Sequence, residues 1–310
     1  MHQVHLFGFL RGEKIDQFVD NGETLTLEKL ATKLGIDLPE SGSKLDVPKL
    51  YDELNMPKYD SEAYHKKIAG IESDLKELGI TAKLEGMDAR FAEDIYSEVS
   101  KLYNDYPSMK GYLNFIATGK NGCDYFLDEV EKVYNSEKWA KADVAVKKSR
   151  KDYSIQVVKD TFLFSKDDKT GGWTMCGYRK GKYNMIVFNE NIVDDYNRLI
   201  TACSNDATKT FRHPLNCVEP KSIIDHELAH VLDNKYGISK DKDLIALFNE
   251  LFYKKNNYKY LSSYAFEYDD DHPHGSIQEM IAEGWAEYCN PKARVTAKYI
   301  GDIIVLRYLK

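Results

Sequence analysis

The chain has 310 residues, room for one large domain or two modest ones with ample core. Hydrophobic residues make up 43% and charged residues 30%, an ordinary soluble composition, and no apolar run approaches the length that spans a bilayer. The formal net charge of −7 argues against a general nucleic-acid binder, so neither nucleic acid nor membrane is expected as a partner.

Residues 1–85 read as a small helical module. Residues 26–35 have helical periodicity and a glycine stop, 49–54 and 63–78 look similar, and Pro39, Gly42, Pro48 and Pro57 punctuate them. The run 27–35 could suggest a DNA-reading helix. Against that, residues 1–85 carry 16 acidic side chains and 11 Lys and Arg, the opposite of a phosphate-binding surface. A module that contacts another protein is the better expectation.

A second unit is expected over 86–310. Residues 89–106 carry a helical apolar pattern that ends at Pro107. Residues 111–118 read as a strand, 119–122 as a turn and 126–139 as a helix. Lys147, Lys148, Arg150 and Lys151 read as a solvated linker, and 155–164, rich in β-branched and aromatic residues, as a strand. Gly171-Gly172-Trp173 reads as a turn and 183–189 as the last strong strand. Residues 194–203, 243–254 and 296–308 read as helices. Five scattered cysteines (Cys123, Cys176, Cys203, Cys217, Cys289) have no C-x-x-C spacing, so neither a disulfide framework nor a cysteine metal site is expected. Residues 1–9 lack the pattern of a secretory leader, and a cytoplasmic protein is the expectation.

The stretch 222–233, SIIDHELAHVLD, contains H-E-x-x-H. Pro220 suits a helical first turn and Gly237 a helical stop. Residues four apart share a helical face, so His226 and His230 can offer two imidazoles to one metal ion. Glu227 is rotated by roughly 100° from His226, where its carboxylate can take a proton from water held by the ion. The continuation is not H-x-x-G-x-x-H, because Asp233 and Tyr236 occupy the glycine and third-histidine positions. A third ligand must come from elsewhere.

Residues 275–288, read as a helix, place Ile277, Ile281, Trp285 and Tyr288 on one face and Glu279 and Glu283 on another, with Ala282 and Ala286 beside them. Glu279 would ligate, and Glu283 would accept the N–H of a ligating histidine. The alternative is a capping box from Ser276 to Glu279 that needs no metal, with Glu283 and Glu287 solvated. His213, His272 and His274 are competing ligands, and Asp269–Asp271 is an acidic run that could bind calcium or simply be solvated.

With these pieces the chain resembles the zincin metallopeptidases whose third ligand is glutamate (gluzincins). Within that group it is most similar to the anthrax lethal factor-like peptidases, whose S-x-Y and E-x-x-A-E motifs match Ser262-Ser263-Tyr264 and Glu279 to Glu283. It is also similar to metallopeptidase domains of phage and mobile-element proteins. The likeness covers mainly 221–290. It implies an α+β zincin-like domain, a mixed sheet with an active-site helix and a glutamate helix, over 86–310. It further implies one catalytic zinc ion held by His226, His230 and Glu279, Glu227 as general base, and hydrolysis of a peptide or protein substrate. Tyr264 would donate to the developing oxyanion. The acidic loop from Glu267 to His274 is longer than the family pattern, which makes Tyr268 a second candidate for that role. In the zincin fold the strand nearest the active-site helix lies at the sheet edge and pairs with substrate. Applied to 183–189, that assigns Asn184, Ile186 and Phe188 to substrate binding, the alternative being an interior strand. A second reading is a structural or assembly protein of a phage or mobile element, virion-associated, in which the domain is mainly a scaffold.

Overall fold

Asn21-Gly22 sits between two short runs and is the dipeptide that two-residue hairpin loops favour. The computed structural model describes residues 4–5, 17–20, 23–26, 61–165, 168, 170–267 and 276–310. In it β2 (Gln17–Asp20) pairs antiparallel with β3 (Glu23–Thr26), Asp20 opposite Glu23, and β1 (Val4–His5) lies on the far side of β2. These strands belong to the first of two units, Met1–Asn55; the second is Met56–Lys310. The expectation of a helical module over 1–85 is therefore not met by the described residues before position 61. The described residues of the first unit are strands, and the expected helices over 27–35 and 49–54 lie outside the described residues.

The boundary expected at residue 86 also moves. The predicted helix near 63–78 is present as α1 (Glu62–Glu77), but its stripe of Tyr64, Ile68, Ile71 and Leu75 is buried in the core of the second unit. The Tyr64 hydroxyl donates to the Met87 carbonyl at 2.8 Å. A stripe of that width could not be left in water, and α2 (Ala89–Asp105) is what covers it.

The second unit is built on a four-stranded mixed sheet of β4 (Thr81–Lys83), β5 (Phe115–Thr118), β6 (Gly172–Gly177) and β7 (Tyr183–Phe188), in the order β4-β5-β7-β6. Both β4 and β7 run parallel to β5, and β6 runs antiparallel to β7. The central strands are apolar at nearly every position because both faces are covered. Phe115, Ala117, Met185 and Val187 point toward α3 (Gly119–Tyr134) and α4 (Val144–Phe162). Ile116, Ile186 and Phe188 point the other way, into the larger core. That core is shared by α1, α2, α5 (Tyr196–Asn205), α6 (Lys221–Tyr236), α7 (Lys242–Phe252), α8 (Ile277–Tyr288) and α9 (Val295–Ile304). The fold is mixed α+β, and no helix among the described residues is long and apolar enough to cross a membrane.

Two expectations on the α3–α4 face are overturned together. The strand expected over 155–164 and the basic linker before it are one helix, α4. Its apolar residues Ile155, Val158 and Phe162 recur at three and four, and they pack on α3, where Phe126 stacks on Phe162 at 4.9 Å. The turn expected over 119–122 is the first turn of α3. Gly122 is needed because a Cβ there would meet the Phe162 ring at 2.7 Å.

Asp241 caps α7, accepting from the backbone N–H of Asp243 at 2.9 Å and Leu244 at 3.3 Å, and it takes Arg307 Nη1 at 2.8 Å and the Tyr308 hydroxyl at 3.0 Å. Burial works to raise its carboxyl, but the Arg307 hydrogen bond and the cap donors outweigh it and hold the group below its ordinary 3.8. A depressed carboxyl stabilises the fold above its unfolded value and loses that contribution on acidification. Asp241→Ala should cost about 1–2 kcal/mol at neutral pH. Urea denaturation should show the gap from wild type shrinking as pH falls below the ordinary value of 3.8.

Candidate metal centre

Pro220 precedes α6 and Gly237 ends it in the left-handed conformation, φ 67°, so the expected helix forms between the expected punctuation. Its residues from Ser222 to Asp233 are almost all buried, which makes α6 a central helix instead of a surface one. The one-turn spacing brings His226 and His230 together, with their Nε2 atoms 3.1 Å apart. Helix α8 is buried from Met280 to Glu287 and lies between α6 and α9.

The two readings of Glu279 prove compatible. Ser276 Oγ accepts from the Glu279 backbone N–H at 3.4 Å and so caps α8. The Glu279 carboxylate meanwhile reaches α6, with Oε2 3.2 Å from His226 Nε2 and 3.6 Å from His230 Nε2. Register between the helices is locked by Gln278, which donates to Asp233 Oδ2 at 3.0 Å, while Asp233 Oδ1 takes the Ser239 N–H at 2.6 Å.

His226, His230 and Glu279 could hold a metal ion, since one ligand atom from each lies within 4.8 Å of the others. The donor set fits a cation. Glu279 Oε2 is buried and faces the two imidazole nitrogens, and a buried carboxylate oxygen is costly unless positive charge compensates it. Burial opposes a charged His226, but hydrogen bonds to Glu279 and Glu283, with their charges, outweigh it and lift the ring well above its ordinary value. Burial likewise opposes an ionised Glu279, yet hydrogen bonding to both histidines holds its carboxyl well below the usual range.

Glu283 lies where the sequence places it, accepting from His226 Nδ1 at 2.8 Å, which leaves Nε2 as the nitrogen free to ligate. It is fully buried, not solvated. A second histidine is on the same oxygen: His213 Nδ1 lies 3.3 Å from Glu283 Oε1. Burial works to raise the Glu283 carboxyl, but the charge and hydrogen bond of His213, together with His226, bring it down to about 2. His213 is absent from the ligand group found among the described residues. No spacing rule connects position 213 to position 283. Glu287 is also fully buried, held by Arg294 through Nε at 2.7 Å and Nη2 at 2.8 Å.

The substrate-binding expectation for β7 is corrected. It is an interior strand paired to β5 and β6, with Ile186 and Phe188 in the core. The Asn184 side chain is spent on the Gly177 N–H and the Tyr112 carbonyl, each at 2.9 Å. The edge strand beside α6 is β6, the segment that Gly171-Gly172 disguised as a turn. Gly172 belongs in a strand because a Cβ there would come 2.9 Å from the Phe188 ring. From β6, Thr174 Oγ1 donates to Glu227 Oε2 at 2.6 Å.

Glu227, His226 and Tyr264 line both parts of the cleft. One part, about 330 Å³, continues past Trp173, Thr174, His230 and Glu279. The other, about 480 Å³, continues past Gly172, Leu199, Cys203, His213 and Ile223. The Tyr264 ring is 6.0 Å from the His226 ring. Burial, then the charges of Glu279, Glu283 and Glu227, raise its hydroxyl well above the ordinary tyrosine value, so it stays a donor. Tyr268, His272, His274 and Asp269–Asp271 lie outside the described residues.

No family model, curated protein or solved structure matches the chain.

A divalent transition metal at 100 times its dissociation constant should stabilise the wild type by about 2.7 kcal/mol. The thermal midpoint should therefore rise for the wild type and stay unchanged for Glu279→Ala under the same conditions.

Proposed function

We propose that this chain is a zinc-dependent endopeptidase of the gluzincin type, with a zincin-like domain akin to the lethal factor-like peptidases. One observation carries the reading. Two helices some fifty positions apart bring two imidazole nitrogens and a carboxylate oxygen to mutual distances of 3.1, 3.2 and 3.6 Å, with Glu227 beside them. Ligands at the usual zinc distances of about 2.0–2.1 Å in a tetrahedron lie about 3.3 Å from each other, which supports zinc with a fourth position left open.

A bound zinc ion would acidify water and polarise a carbonyl. The residues supply the rest. Glu227 keeps one carboxylate oxygen on Thr174, leaving the other to accept the proton from water and later return it to the departing amine. The Tyr264 hydroxyl, kept protonated by its surroundings, donates to the oxygen on which charge develops. The free edge of β6 offers backbone N–H and C=O groups to an extended peptide. Leu199, Ala202 and Ile223 make an apolar wall in the larger part of the cleft, suited to a bulky apolar substrate side chain.

Glu227→Ala is expected to retain about one zinc per chain while peptide-library cleavage falls by about 10²–10⁴-fold. Metal analysis and turnover on the same preparation check this, and full activity in the variant would remove the mechanism. Zinc binding with no cleavage of a diverse library would favour the assembly-protein reading. Ala202→Trp should shift the cleavage profile away from bulky residues while leaving zinc content unchanged, read by mass spectrometry of library products.

A further inference from the structure

We propose that His213 is a positioning residue of the candidate metal centre: its hydrogen bond fixes the direction of the Glu283 carboxylate, and Glu283 in turn holds His226 in the ligating orientation. The inference rests on the metal reading of His226, His230 and Glu279, and is independent of whether peptides are cleaved.

Glu283 is 0% exposed. Its Oε2 accepts no hydrogen bond, and Oε1 takes two donors, His226 Nδ1 at 2.8 Å and His213 Nδ1 at 3.3 Å. Among the described residues these two imidazoles are the donors on this carboxylate. A sealed carboxylate with one imidazole donor is poorly compensated. With that donor alone its oxygen has no fixed direction, and the His226 N–H is no longer pulled along one line. That pull fixes the tautomer and direction of a ligating histidine. His213 supplies what is missing.

The loop before α6 is shaped to deliver it. Phe211 adopts φ 56°, a left-handed conformation that a bulky side chain disfavours. Its carbonyl takes both the N–H of Ser263 at 2.7 Å and its hydroxyl at 3.1 Å, and its ring stacks on Tyr258 at 4.7 Å. The His213 N–H donates to the Asp206 carbonyl at 3.3 Å. A loop fixed from both sides in a strained turn presents its histidine to one buried oxygen. His213 also lines the larger part of the cleft, so the cleft wall and the ligand shell meet at this side chain.

Zinc affinity of the full chain, measured by competition with a chromophoric chelator, tests this. His213→Ala should bind zinc at least about tenfold more weakly, the usual effect of losing an outer partner of a ligand. His213→Asn, whose amide can occupy the Nδ1 position, should recover most of the loss. Because His213 acts through Glu283, adding His213→Ala to Glu283→Ala should weaken binding no further than Glu283→Ala alone. The visible spectrum of the cobalt-substituted chain, which reports ligand geometry, should change in His213→Ala and revert in His213→Asn. Wild-type affinity in His213→Ala, or a full additional loss in the Glu283→Ala background, would overturn the proposal. Should the alanine variant fail to fold by circular dichroism, His213→Leu against His213→Asn makes the same comparison. A wild-type chain that binds no zinc overturns the metal reading along with it, whereas zinc binding without hydrolysis bears on the proposed activity alone.

Discussion

A carboxylate cut off from water has to find its hydrogen bonds inside the protein, and that constraint shapes the centre of this fold. Glu283 draws α6, α8 and the loop before α6 to one oxygen atom. Asp233 ties the far end of α6 to Gln278 at the start of α8, and Glu287 ties the end of α8 to Arg294. Two of these buried acids, Asp233 and Glu283, thus fix how α6 and α8 sit, because any slide along their axes would leave a carboxylate unpaired in the core. The geometry of His226, His230 and Glu279 follows from that fixed relation. Apolar packing alone tolerates shifts that a centre of this kind does not.

The candidate metal centre was far more legible than its surroundings. His226 and His230 are related by helical spacing, and Glu279 and Glu283 by the same spacing, so each pair can be read within one short segment. His213 and Thr174 join the site only through tertiary structure, and a lone histidine before a proline or a threonine between Trp173 and Met175 carries no local signal. The Asn21-Gly22 dipeptide did signal a hairpin, but the helical look of later segments hid it.

The misread elements share one cause. Residues 155–164 look like a strand by composition, yet Ile155, Val158 and Phe162 recur with helical spacing, and that spacing matched the buried face. Gly122 and Gly172 look like turn residues, but each is small because a phenylalanine ring from another element lies against it. Reading Gly171-Gly172 as a turn removed β6 from view, and without β6 the strand Tyr183–Phe188 had to serve as the edge. One glycine pair therefore moved the expected sheet edge by one strand.

The segments on either side of the acidic stretch after Glu267 are anchored separately. The turn bearing Tyr264 is held by the Ser262 hydroxyl, the Phe211 carbonyl and the pair of Arg212 with Glu267 at 3.2 Å. Helix α8 begins under its own Ser276 cap. Each side of the connection is therefore held by its own contacts, whatever the length of chain that joins them. It also makes this junction a natural place to splice in a reporter peptide while leaving the Ser276 cap and the turn bearing Tyr264 in place.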